Sequence, residues 1–102
     1  ACVHQSHGTP VEIEDDVSVG HNATVHGCTL RRGCLIGMGA TVLDKAEVGE
    51  GAIVAAGAVV LQGTKIGPNE LWAGVPAKLV KQTKPGQAEE FAQHYIEIKK
   101  WY

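Results

Sequence analysis

At 102 residues the chain has room for one domain, and 9 basic against 11 acidic side chains leave a formal net charge of -2. That balance offers no basic footprint for nucleic acid or an anionic membrane surface, so neither is expected as a partner. The apolar runs are far too short to span a bilayer, no secretory leader is legible, and the odd set Cys2, Cys28 and Cys34 matches neither a disulfide framework nor a zinc knuckle. Small buried thiols in a reducing compartment, and hence a cytoplasmic location, are the expectation.

Taken in order, Ala1 to His4 read as the end of a strand. Val3 starts a repeat whose next member, Ile13, lies ten residues on, so the four extra residues loop out within Gln5 to Pro10 (QSHGTP). Aliphatic residues then recur every six positions at Ile13, Val19 and Val25 and, after one step shortened by a residue, at Leu30, Ile36, Val42, Val48, Val54, Val60 and Ile66. Small side chains follow four places later at Ala23, Cys34, Ala40, Ala46, Ala52 and Ala58, and glycines one place later at Gly20, Gly37, Gly49 and Gly67. A fixed period of this length marks a solenoid whose coils cover one another's apolar faces, and its glycines suit sharp corners or close backbone approach. An amphipathic helix is excluded, since six does not match 3.6 and Val and Ile dominate the repeated slot.

The pattern fades at Pro68, Asn69 and Glu70, and Trp72 to Ala77 (WAGVPA) reads as a capping turn. The all-β solenoid thus occupies residues 1–77. Residues 78–102 divide into a polar link over 78–86 and a C-terminal α-helix over 87–102, with Phe91, Tyr95, Ile98 and Tyr102 on one face. That stripe packs along the solenoid or on a neighbouring subunit. His94, on the helix's polar side, is an ordinary surface residue.

Three other histidines carry the chemistry. If the repeated aliphatic residue points inward, its successor points out, so His4 after Val3 and His26 after Val25 occupy matching outward slots. Three hexads plus a four-residue loop make 22 residues, which is the separation of His4 from His26. The two therefore lie one above the other, about 4.8 Å apart in the backbone, close enough to grip one ion at roughly 2.0 Å each. His21 lies five residues before His26, too far along an extended chain to reach the same ion. It reaches an ion held by the next subunit of a ring, which predicts a cyclic oligomer with shared sites, and for a three-faced prism a trimer.

The 17- and 5-residue steps between these histidines, the string VGHNATVHGC, the following LIGMGATVLD and the ending WAGVPAKLV resemble the gamma-class carbonic anhydrases of the hexapeptide-repeat superfamily. The resemblance covers nearly the whole chain. The histidine spacing is specific to that class, while the hexads and the GVPAK ending are shared with acyltransferases. It implies a single-stranded left-handed parallel β-helix with a C-terminal helix, a homotrimer, and a zinc ion (iron or cobalt in its place) at each subunit interface. Two ligands, His4 and His26, then come from one chain and the third, His21, from its neighbour. The implied reaction is a lyase's reversible hydration of carbon dioxide to bicarbonate by a metal-bound hydroxide, which needs a group to pass the released proton to solvent. Some relatives carry a glutamate three residues after the first ligand; here the position is His7, the candidate proton shuttle. Asn22 and Gln5 are candidates for orienting the imidazoles.

Two departures bear on activity. The acidic loop of relatives is replaced by QSHGTP, and the coils that carry an arginine, an aspartate and a glutamine in relatives would precede Ala1. The alternatives are a hexapeptide-repeat acyltransferase with one histidine as general base, an acyl-coenzyme A thioesterase, and a structural relative without turnover.

Overall fold

A computed structural model of the chain describes residues 2–3 and 11–88. The expected all-β solenoid is the fold. The strands are β1 (Cys2–Val3), β2 (Glu12–Ile13), β3 (Ser18–Val19), β4 (Thr24–Val25), β5 (Thr29–Leu30), β6 (Leu35–Ile36), β7 (Thr41–Val42), β8 (Glu47–Val48), β9 (Ile53–Val54), β10 (Val59–Val60), β11 (Lys65–Ile66), β12 (Glu70–Ala73) and β13 (Lys78–Gln82). They stack into three sheets, β1-β4-β7-β10, β2-β5-β8-β11 and β3-β6-β9-β12-β13, in which every pair but β12-β13 is parallel. Each coil contributes one strand to each sheet. Two-residue strands are the most that three corners leave in a coil of 18 residues.

Both repeated slots face the axis. Val25, Leu30, Ile36, Val42, Val48, Val54 and Val60 are fully buried, and between them sit Ala23, Cys28, Cys34, Ala40, Ala46, Ala52 and Ala58. Large residues within the strands thus alternate with small ones just before them on the axial side. Burial pushes the Cys34 thiol up to about 12 and the Cys28 thiol up to about 11. We therefore expect iodoacetamide near neutral pH to leave Cys34 unlabelled in the folded protein and to label it on denaturation, as peptide-resolved mass spectrometry would show.

The corners use two kinds of special residue. At Gly20 and Gly37 a Cβ would lie 2.7 Å from the Met38 nitrogen and 2.5 Å from the Ala56 nitrogen respectively, so successive coils touch there backbone to backbone. Positive φ falls two places later, at Asp16, Asn22, Gly33, Gly39, Lys45, Gly51, Gly57, Gly63 and Asn69. The glycine one place after each aliphatic residue thus serves close approach, and the left-handed turn residue is a separate position.

The top of the solenoid is closed by a hairpin. Trp72 stacks over Val54 and packs against the core, its indole N–H donating to Glu70 Oε1 at 3.1 Å, while the same oxygen accepts the Gly67 N–H at 2.7 Å. The capping turn then returns as β13, antiparallel to β12. Residues 78–82, expected within a polar link, are therefore a strand. Antiparallel pairing at a sheet edge lets a charged, exposed sequence be extended, because its backbone bonds do not depend on an apolar face. Its end is tied down by the Gln82 amide, donating to the carbonyls of Pro68 and Asn69 at 2.9 and 3.0 Å, and by the Thr83 hydroxyl, donating to Asn69 at 2.7 Å. Of the expected C-terminal helix only Gln87 and Ala88 are described, and both are helical. Ala88 packs on Leu35 and Ile53, which face outward from the third sheet, opposite the core-facing Ile36 and Val54.

Arg31 stitches three coils on the outside. It donates to Glu14 in the coil below at 3.0 Å and to Glu47 in the coil above at 3.2 Å. The Arg32 backbone N–H and then the Arg31 guanidinium hold the Glu14 carboxyl below its ordinary 4.5. A lowered folded-state pKa adds stability above the unfolded value, and that contribution is lost as pH falls through the folded one. Glu14→Gln is expected to flatten the decline of Tm between about pH 5 and pH 3, measured by thermal melts.

Candidate metal centre

His21 and His26 sit at the two corners that flank β4. His21 follows Gly20 in the corner after β3, where the Gly20 contact with Met38 and the bond from the Gly39 N–H to the His21 carbonyl, at 2.8 Å, pin the backbone to the coil above. Its side chain is exposed. Asn22, offered as an orienting residue, occupies the left-handed position with φ 58° and is exposed, so its place is explained by the corner itself. His26 follows β4, donates its N–H to the Val42 carbonyl at 2.9 Å and is half-buried.

Above each histidine rises an apolar column. The bonds Gly39 N–H to His21 and Gly57 N–H to Met38 stack His21, Met38 and Ala56; those from His26 to Val42 and from Leu43 to Val60 stack His26, Leu43 and Leu61. Met38, in the middle of the first column, and Leu61, at the top of the second, are 40% and 48% exposed, so each column carries one large exposed apolar side chain. Between the columns the first sheet presents Thr24, Thr41 and Val59 outward, all half-buried. These apolar columns were not anticipated, although their members occupy the first and second places after the repeated aliphatic residue and the repeat alone aligns them.

His4 and His7 lie outside the described residues, as do Gln5 and His94. The register is nevertheless fixed at the residue before His4, because Val3 pairs with Val25 and Cys2 with Thr24. Positions 4 and 26 therefore directly follow a paired couple. Among the described residues no three His, Cys, Asp or Glu side chains gather into a group able to hold a metal. His21 and His26 are thus not brought to one point with a third ligand inside the described chain. Imidazoles as donors suit a borderline divalent ion such as zinc, and of the two described histidines His26 is half-buried and His21 exposed.

The sequence comparisons agree with this architecture. Residues 27–62 match the model of the bacterial transferase hexapeptide family, six repeats. Carbonic anhydrase from Geobacillus kaustophilus is 44% identical over 103 residues, an alignment that takes in 98% of this chain and 57% of that protein. Gamma carbonic anhydrase 2, mitochondrial, from Arabidopsis thaliana is 41% identical over 92 residues, covering 87% of this chain and 33% of that protein. The chain is a gamma carbonic anhydrase-like member of the hexapeptide-repeat family. It spans little more than half the length of the Geobacillus relative. Among solved structures, a Bacillus cereus protein described provisionally as an acetyltransferase superposes with a TM-score of 0.83 at 43% identity, over 98% of this chain and 60% of that one. Serine acetyltransferase from Brucella abortus, solved with coenzyme A, follows at 0.68 and 31%, over 80% and 38%. Family membership thus covers both hydratases and acyl transferases by name, and the histidines must separate them.

Proposed function

We propose that this chain forms a metal-dependent carbonic anhydrase-like enzyme that reversibly hydrates carbon dioxide at sites shared between the subunits of a homotrimer. The observation that carries it is the position of His21 and His26 at the two corners that flank β4, one on each side of the face formed by the first sheet. An edge bearing His21 on one subunit, set against the edge bearing His26 on the next, repeats around a threefold axis and puts Met38 against the Leu43–Leu61 column of its neighbour. Such an arrangement covers the exposed Met38 and Leu61 while it completes the ligand set.

His4 and His26 of one chain and His21 of the next would hold the ion, each through a neutral imidazole nitrogen, and zinc is the proposed metal, with iron or cobalt able to replace it. When bound, the ion supplies the Lewis acidity that lets a water ionise near neutral pH and attack carbon dioxide. The chain's own residues do the rest. The pinned corner at Gly20 fixes where His21 sits, and the bond from His26 to Val42 fixes the backbone beneath its imidazole. Leu43 and Leu61 form an apolar wall beside the site, suited to an uncharged gas and excluding bulk water. His7 is the proposed carrier of the released proton, since an imidazole titrates near neutral pH. The free thiols Cys28 and Cys34 suit a reducing cytoplasm, the proposed location.

Stopped-flow carbon dioxide hydration on the zinc-loaded and chelated oligomer tests the reading. Hydration that follows metal content supports it, whereas acetyl transfer from acetyl-coenzyme A that is indifferent to chelation would contradict it. The second outcome is the acyltransferase alternative, which the likeness to the serine acetyltransferase favours.

A further inference from the structure

Ten described corners follow an inward aliphatic residue, and nine carry a left-handed residue three places after it, from Asp16 to Asn69. Seven of these, at Gly33, Gly39, Lys45, Gly51, Gly57, Gly63 and Asn69, send the N–H down to a carbonyl of the coil below at 2.8–3.1 Å. The exception is the corner after Val25. There the next aliphatic residue, Leu30, is only five places on, and none of His26, Gly27, Cys28 and Thr29 has a positive φ. The residue lost from this hexad is the left-handed one.

The strand registers add a second difference. Val3 pairs with Val25 and Ile13 with Leu30, so ten residues separate the two lower partners where five separate the upper ones. At seven other corners the left-handed residue supplies the N–H that joins its coil to the one below. Omitting the residue leaves this corner without that backbone donor. It also alters the tip. Gly27 is buried, while its counterparts Asp15, His21, Arg32, Met38, Glu50, Ala56, Gln62 and Pro68 are exposed and Asp44 is half-buried. The Gly27 carbonyl still accepts the Lys45 N–H at 2.8 Å, so the corner stays joined to the coil above.

We infer that this shortened corner is a positioning device: by drawing its tip inward at Gly27 it presents the His26 imidazole to the ion clear of its own turn. Gly27 is thus a positioning residue. The inference rests on the reading of His26 as a metal ligand, and it names what aims that ligand.

The test inserts one glycine between Gly27 and Cys28, restoring the six-residue hexad, and compares the native chain, the insertion variant and His26→Ala by cobalt(II) titration with visible absorption and far-UV circular dichroism. The expected result is a native-like strand spectrum for the insertion variant, cobalt binding weakened at least about tenfold, and altered intensity of the cobalt bands, which report coordination geometry. Native-like binding and bands in the insertion variant would overturn the positioning role while leaving the metal site intact. An insertion variant that does not fold would assign the short corner to folding and overturn it too. No cobalt binding by the native chain, with His26→Ala unchanged from it, would remove the metal reading and this inference together.

Discussion

His21→Ala and His26→Ala, each purified as the only chain, are expected to lose stoichiometric metal, and a mixed oligomer of the two is expected to regain part of it. The recovery follows from the shared site proposed above. A His21→Ala subunit keeps His4 and His26, and a His26→Ala neighbour keeps the His21 that completes them. With random mixing of equal amounts in a three-membered ring, about one ordered neighbour pair in four is competent, so roughly a quarter of the native metal should return. Elemental analysis after co-refolding reads it directly. Recovery to near zero would place all ligands within one chain, and loading to about half would mean that one of the two histidines is not a ligand.

Gly37→Ala is expected to be the most damaging single methyl in the solenoid. Its Cβ would stand 2.5 Å from the Ala56 nitrogen and 2.8 Å from the Ala55 carbonyl carbon, both backbone atoms of the next coil. Backbone cannot rotate away as a side chain can, so two coils must part. A cost at the upper end of overpacking, about 3 kcal/mol, is expected, corresponding to a fall in Tm of more than about 10 °C. Two residues on, Gly39→Asn is expected to cost less than about 1 kcal/mol, because asparagine tolerates positive φ. Nothing lies within 4 Å of a Cβ at Gly39, and Asn22 already holds the equivalent left-handed position one coil below, at φ 58°. Thermal melts of the two variants side by side check the contrast. Equal losses would mean that turn conformation, and not coil-to-coil contact, sets the glycine requirement.

Much of this architecture was legible before any coordinates. The six-residue step placed Val25, Ile36, Val42 and their equivalents on the axis, and counting through the loop gave the pairing of Val3 with Val25. Periodicity carries that information because each coil repeats the same burial requirement. The left-handed positions were not legible, since Lys45, Asp16 and Asn22 fill them as well as glycine and no one residue type marks the slot. Strand β13 was hidden because its residues are all exposed, so no apolar alternation betrays it. The Glu14–Arg31–Glu47 ladder needed the 17- and 18-residue coil lengths together, which only the registers supply. The pairing of a loop below with a deletion above, at the corner of His26, likewise emerges only when two coils are set in register.

Metal content per chain, measured by elemental analysis on the native oligomer purified without chelator, decides whether the histidines hold an ion. About one zinc or iron per chain is expected for three imidazoles shared across each interface. A metal-free oligomer that takes up none when zinc is added would contradict it.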